Sequence, residues 1–296
     1  MTSSALLTGI SGFIGERLAQ RLLAEGWTVH AIVRPSSDLS GIGQHPALQL
    51  HAHDGSTEGL LRILKQSRPD TVFHLASLYL TDHRPEQVEP LIRSNLLFPA
   101  QLMEAMAATG ACKLVNTGTA WQHYEGETYR PVNLYAATKQ AMQDLAAYYA
   151  DAKGLSVLTL KLFDTYGACD KRRKLISILV DAARTGEHLD MSPGDQIVDL
   201  SHVDDVVNAF LIAAERLKKS KAGSDEIYFV SGERLTVREL VGRVEQCLGR
   251  KLDVSFGGRP YRDREVMEPV ETSAGNILPE WWPEHSLDAG IAELLG

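Results

Sequence analysis

The chain has 296 residues, a formal net charge of −8 and a hydrophobic share of 44%, enough for one large domain or a domain with a smaller lobe. No stretch reaches the roughly 18 to 20 uninterrupted apolar residues of a membrane crossing, and the scattered basic residues do not make the broad positive surface of a nucleic-acid binder. Cys112, Cys169 and Cys247 lie far apart without a C-x-x-C pattern, so neither a disulfide framework nor a metal site is expected. The opening "MTSSALLTGISGFIGERL" has no basic leader, and the expected compartment is the cytoplasm. An acidic protein can still hold an anionic small ligand through local arginines. The one basic concentration, "DKRRK" at 170–174, reads as a solvated loop.

Along the chain, short apolar runs alternate with helical patterns. "SALLTG" reads as the first strand and "IGERLAQRLLAEG" as the first helix, with Gly9, Gly12 and Gly15 between and just inside them. Gly9 permits a tight turn, Gly12 lets a pyrophosphate approach the backbone, and Gly15 allows close helix–sheet contact. The helix N-terminus around Phe13 and Ile14 then faces the phosphate charge, which makes this a dinucleotide site. The second strand, "TVHAIVR", ends on Val33 and Arg34, where an NAD site commonly places a carboxylate for the ribose hydroxyls. Arg34 and the Ser37 hydroxyl suit a 2′-phosphate instead, so NADP(H) is expected in preference to NAD(H). The third strand, "LQLHAHD", ends at Asp54 and Gly55; Asp54 is either an acceptor for the adenine amino group or a helix cap. The fourth, "DTVFHLA", leads into Leu75, Ala76 and Ser77, where small residues let a cofactor lie close. Asn95 opens the next helical pattern, either orienting waters and backbone or capping the helix. Pro99 requires that helix to start nearby or to bend.

The fifth strand, "CKLVNTG", brings Thr117 and Thr119 to the carboxyl edge, where open sheets bind ligands. One loop later, Tyr135 and Lys139 stand four apart at the start of "NLYAATKQAMQDLAAYYADAKG", a helical spacing that points both heads at one site. A free phenol, with a pKa near 10, is a slow acid or base at neutral pH. A neighbouring ammonium favours the phenolate, and the same lysine suits the nicotinamide ribose. The Thr119 hydroxyl is placed to hold a substrate oxygen as charge shifts onto it. "LSVLTLKLF" is the sixth strand and carries Leu162, assigned to the cofactor site. The alternation predicts an α/β fold, a Rossmann doubly wound parallel sheet over residues 1–165. Residues 166–296, with turn-rich "FGGRPYRDREVMEPV" and "NILPEWWPEHSL", are expected to form mostly a substrate lobe, with segments around 195–232 returning to the first domain.

"TGISGFIG" (8–15), "HLAS" (74–77), Asn95, Thr119, "YAATK" (135–139), "LKLFDTYG" (160–167) and "HVDDVVNAF" (202–210) come in an order that resembles the extended short-chain dehydrogenase/reductase superfamily. These are NAD(P)-dependent nucleotide-sugar epimerases, dehydratases and reductases. The resemblance implies a small C-terminal sugar-nucleotide lobe and a homodimer built from helices such as 95–108 and 135–151. "WQHY", "NLYAATKQA" and "LKLFDTYG" are most similar to the CDP-linked 4-ketoreductases, the CDP-abequose and CDP-paratose synthases. That implies NADPH-dependent reduction of the C4 keto group of a CDP-4-keto-3,6-dideoxyhexose, with Tyr135 as proton donor. Where the superfamily's dehydratases carry an Asp–Glu pair, this chain has Ala120 and Trp121, which removes the proton donor for elimination. Epimerisation through a transient 4-keto sugar on bound NAD(P) is the alternative, and a binding protein without chemistry is a third reading. The resemblance assigns the sugar pocket to Thr119, Trp121, Gln122 and His123, with His123 either a pocket donor or an ordinary loop histidine. Asp164 stands where relatives have an asparagine that donates to the diphosphate, which a carboxylate cannot do. Leu175 is assigned to the base and Lys174 is either a phosphate partner or solvated, while Arg262 is assigned to the diphosphate, with Arg259 or Arg264 as the alternative contact.

Overall fold

The computed structural model describes residues 3–273 and 276–296. The first half runs β1 (Ser4–Thr8), α1 (Phe13–Ala24), β2 (Thr28–Val33), β3 (Leu48–Ala52), α2 (Thr57–Ser67) and β4 (Thr71–His74). It continues through α3 (Val88–Ile92), a π-helical turn (Arg93–Leu97), α4 (Phe98–Thr109), β5 (Lys113–Thr119), α5 (Leu134–Lys153) and β6 (Ser156–Leu162). The second half is β7 (Asp164–Tyr166), α6 (Leu175–Thr185), β8 (Leu189–Met191), β9 (Ile197–His202), α7 (Val203–Lys219) and β10 (Asp225–Val230). It ends with β11 (Glu233–Thr236), α8 (Val237–Leu248), β12 (Val254–Phe256) and α9 (Leu287–Leu295).

Seven strands form one parallel sheet in the order β10-β6-β5-β4-β1-β2-β3. The two-residue period of a strand sends alternate side chains to opposite faces. Ala5 and Leu7 accordingly meet Leu18 and Leu22 of α1 and Phe210 of α7, while Leu6 between them meets Leu60 of α2 and Leu102 of α4. Both faces are covered, as the expected doubly wound Rossmann fold requires. The chain leaves β1 in one direction for β2 and β3, then returns to β4 on its other side. That reversal opens a crevice at the carboxyl ends of β1 and β4.

Beyond residue 165, α7 and β10 join the layers of the main sheet, while β11-β9-β7 and β12-β8 form two small sheets. A third apolar cluster, including Leu179, Leu240, Val244 and Ile291, packs α6, α8 and α9 together. Among the described residues, no helix is long and apolar enough to cross a membrane.

As expected from Pro99, α4 starts beside it, at Phe98, with the proline in its first turn. What the sequence did not indicate is that α3 and a π turn run directly into α4, so that the backbone stays helical from Val88 to Thr109. Proline lacks an N–H and crowds the preceding turn, and the wider turn accommodates both.

Candidate active site

The glycine turn is shaped by close backbone approach. Gly9 has φ +80, and a Cβ there would lie 2.6 Å from the Ala76 nitrogen; one on Gly15 would lie 2.1 Å from the Gly9 oxygen. Gly12 is the N-cap of α1 and offers no side-chain acceptor, so the first-turn amides of Phe13, Ile14 and Gly15 are left for a ligand. These uncapped donors at a helix N-terminus fit a dinucleotide pyrophosphate. They open onto a cavity of about 220 Å³ that Leu75, Ser77, Thr119, Trp121, Tyr135, Lys139, Leu162, Asp164 and Lys174 also line. Ala76 lies beside it, its amide donating to Thr8 Oγ1 at 3.2 Å.

Asn133 caps α5 by accepting from the Ala136 amide at 2.9 Å, so the helix starts just before Tyr135. Tyr135 is 9% exposed and Lys139 5%, with the ammonium 5.9 Å from the phenol ring centroid. Burial pushes the phenol pKa up and the nearby Tyr79 adds to this, against the opposing pull of Lys174, Ser77 and Arg172. Burial brings the Lys139 amine down to about 8. The Thr119 hydroxyl accepts from the Trp121 amide at 3.3 Å, and its own proton is available to a ligand oxygen.

At the mouth, Lys174 Nζ donates to Asp164 at 2.9 Å and to the Tyr79 hydroxyl at 3.2 Å. Burial disfavours the Lys174 charge, but Asp164 and Tyr79 outweigh it and raise the pKa. The carboxylate that cannot donate to a phosphate thus holds a lysine that can. Tyr79 also stands edge-on to Tyr135, ring centroids 5.0 Å apart, and 5.8 Å from Trp121. Tyr79, Gly118, Phe163, Thr165 and Arg172 line the cavity without having been singled out as site residues. Arg172 was discounted within a short basic run, and nothing local marks Tyr79.

Other expected site residues lie away from the cavity. Gln122 is fully buried: its Oε1 accepts from the Thr119 amide at 3.1 Å, and its Nε2 donates to Gln140 and Gln143. The His123 imidazole turns inward, 2.7 Å from Lys161 Nζ and 3.0 Å from the Glu127 carbonyl. Asp54 takes up the local turn, accepting from the Ser56 amide and hydroxyl and from Arg62, and the Ser56 bonds hold its pKa down to about 2. Gly55 makes that turn at φ +87. Asn95 sits within the π turn, not at a helix start. It accepts from Ser77 Oγ and the Leu78 amide and donates to Thr138 Oγ1, bracing the loop after β4 against α5. Leu175 opens α6 and packs in the small lobe. Arg262 is exposed; its amide donates to Glu265 Oε2 and its carbonyl accepts from the Glu265 amide, each at 3.2 Å, and its side chain has no hydrogen-bond partner among the described residues. Arg264 instead reaches the Pro131 and Val132 carbonyls at 2.8 and 3.0 Å, just before the cap of α5.

The sequence pattern of the NAD dependent epimerase/dehydratase family matches residues 5–230. The chain is 28% identical over 266 residues to CDP-abequose synthase of Yersinia pseudotuberculosis, covering 89% of this chain and 90% of that one. It is 25% identical over 308 residues to UDP-glucose 4-epimerase of Corynebacterium glutamicum, covering 95% and 91%. The solved structure of MoeE5 in complex with UDP-glucose and NAD superposes with a TM-score of 0.83 at 26% identity, covering 99% of this chain and 97% of MoeE5.

The expected preference for NADP(H) is overturned. MoeE5 holds NAD, as do the solved UDP-glucose 4-epimerases of Thermus thermophilus and Brucella ovis, which share its fold. At the end of β2, the Ser37 hydroxyl accepts from the Arg34 amide at 3.1 Å, and hydrogen bonds from Ser40 hold the Asp38 carboxyl below the usual range. With its glycine turn, its buried tyrosine–lysine step and a family pattern that runs from β1 to the end of β10, the chain belongs to the NAD dependent epimerase/dehydratase family.

Proposed function

We propose that the chain moves hydride at C4 of a nucleotide-linked sugar, with NAD(H) as carrier and Tyr135 as proton relay. Support comes from one cavity shared by the glycine turn, Thr119, Tyr135 and Lys139 at the carboxyl edge of a parallel sheet. When bound, NAD(H) supplies the hydride acceptor and donor. Tyr135 hands its phenolic proton to the alkoxide oxygen, or takes it back in the reverse direction, and Thr119 donates to the same oxygen as charge gathers. Lys139 orders the nicotinamide ribose and favours the phenolate when the proton has left. Lys174, released from Asp164, meets a sugar-nucleotide phosphate.

C4 epimerisation through a transient 4-keto sugar has the broader support, from UDP-glucose 4-epimerases that align with nearly the whole chain and from the NAD of the solved relatives. A second reading, net reduction of a CDP-linked 4-keto deoxyhexose, is favoured by three CDP-abequose synthases. Either enzyme would work as a homodimer. Purified protein is to be offered UDP-glucose, UDP-galactose and a CDP-4-keto-3,6-dideoxyhexose, following NADH absorbance and the product by NMR. Exchange of C4 stereochemistry without net NADH consumption selects the epimerase, and one NADH consumed per alcohol formed selects the reductase. Neither outcome, or full turnover by Tyr135→Phe where a loss of roughly a hundredfold or more is expected, rejects the proposal.

A further inference from the structure

We infer that Arg172 is a pyrophosphate clamp, a guanidinium fixed against Phe13 of the glycine turn to bind the dinucleotide phosphates together with the N-terminus of α1. The inference rests on the cofactor reading above and deepens it by naming a residue that neither the family resemblance nor the glycine pattern supplies.

The loop at 167–174, between β7 and α6, lies along the cofactor groove. Arg17 of α1 donates to the Ala168 carbonyl at 3.3 Å, and Lys171 Nζ lies 3.9 Å from Asp38, beyond the tip of β2. Between these contacts, the Arg172 guanidinium lies 4.7 Å from the centroid of the Phe13 ring, the first residue of α1. At the far end Lys174 reaches Asp164. The loop therefore touches the ribose end, the phosphate turn and the sugar end of one groove.

Arg172 is held more firmly than a solvated arginine needs to be. The Asp170 side chain, 2% exposed, accepts from the Arg172 amide at 3.0 Å and from Nε and Nη2 at 2.8 Å each. Nη2 also donates to the Thr165 carbonyl at 3.1 Å. Nη1 is left as the guanidinium nitrogen without a protein acceptor among the described residues, on a side chain that lines the cavity. Burying a carboxylate is costly, and the return on it here is orientation of a fork that still has a donor to spare. The same cavity is lined by Phe13, Ile14 and Gly15, whose uncapped amides favour the same anion.

A sugar-nucleotide diphosphate presents the same chemistry. The contact with Phe13 assigns Arg172 to the cofactor, since Phe13 belongs to the glycine turn, whereas Lys174 and Asp164 occupy the sugar end. Titration calorimetry of Arg172→Gln with NADH, ADP-ribose, UDP and CDP separates the two sources without any sugar turnover. The measurement stands whether or not the C4 chemistry does. NADH and ADP-ribose should bind roughly ten- to hundredfold more weakly, with UDP and CDP unchanged. Arg172→Lys should recover part of the loss, and Asp170→Asn, which frees the fork but keeps its charge, should show a smaller one. If Arg172→Gln fails to fold, Asp170→Asn carries the same comparison. Unchanged NADH affinity in a folded variant, or a loss confined to UDP and CDP, overturns the clamp.

Discussion

The Lys139 amine titrates near 8 in the folded protein because burial disfavours its charge, against an ordinary value of 10.5 once the chain unfolds. Below pH 8 both states carry the proton, so the cost of a buried ammonium is fully present. Between 8 and 10.5 the unfolded chain binds more protons than the native one, and stability rises with pH across that window. The difference corresponds to about 3 kcal/mol at most. Lys139→Met should therefore be more stable than the parent at pH 7 and lose that advantage by pH 10.5, while turnover collapses. Urea unfolding at the two pH values measures it, and equal stability of the two proteins at pH 7 would reject it. Tyr135 and Lys139 were legible in the sequence because a four-residue helical step fixes side-chain direction locally. Gln122 and His123 were not, because their directions are set by Gln140, Gln143 and Lys161, far along the chain.

The turn between β1 and α1 separates two jobs of glycine within one element. A Cβ at Gly15 would meet the Gly9 carbonyl oxygen at 2.1 Å and could not be relieved by a side-chain shift. Gly12 has only that oxygen at 3.2 Å, so alanine there needs a small adjustment. Gly15→Ala should thus destabilise the fold by about 1–3 kcal/mol or more. Gly12→Ala should melt close to the parent yet bind NADH more weakly, since its methyl meets the pyrophosphate. Melting curves and NADH titration distinguish the two; matching melting losses would show that both positions serve packing alone. This element was legible because its glycine spacing lies within eight residues, Gly9 to the first turn of α1, even though Gly9 also meets distant Ala76. The π turn before Pro99 was not, because a missing N–H admits a start, a bend or a wider turn equally well. The small sheet of β7, β9 and β11 also escaped notice. Its strands are three to six residues long and draw partners from distant segments, too little for a period-two pattern to declare itself.

The doubly wound parallel class of the main sheet follows from helices alternating with apolar strands, so the overall architecture was the most legible level of all. Its outer surface is another matter, and two helical stretches leave apolar side chains in water. Leu97 on the π turn is 44% exposed and Tyr148 on α5 is 54% exposed, on elements that pack side by side. Isolated apolar side chains on a surface are ordinary. Here they fall on the stretches from which the family resemblance implies a homodimer, and a C2 interface would bring each protomer's patch onto its partner's. Light scattering after size exclusion should return twice the chain mass for the parent and a single chain for Leu97→Asp combined with Tyr148→Asp. Because both positions lie outside the lining of the catalytic cavity, the monomeric variant should keep the parent's affinity for NADH. A monomeric parent, or a double variant that stays dimeric, would move the contact to another face or remove it altogether.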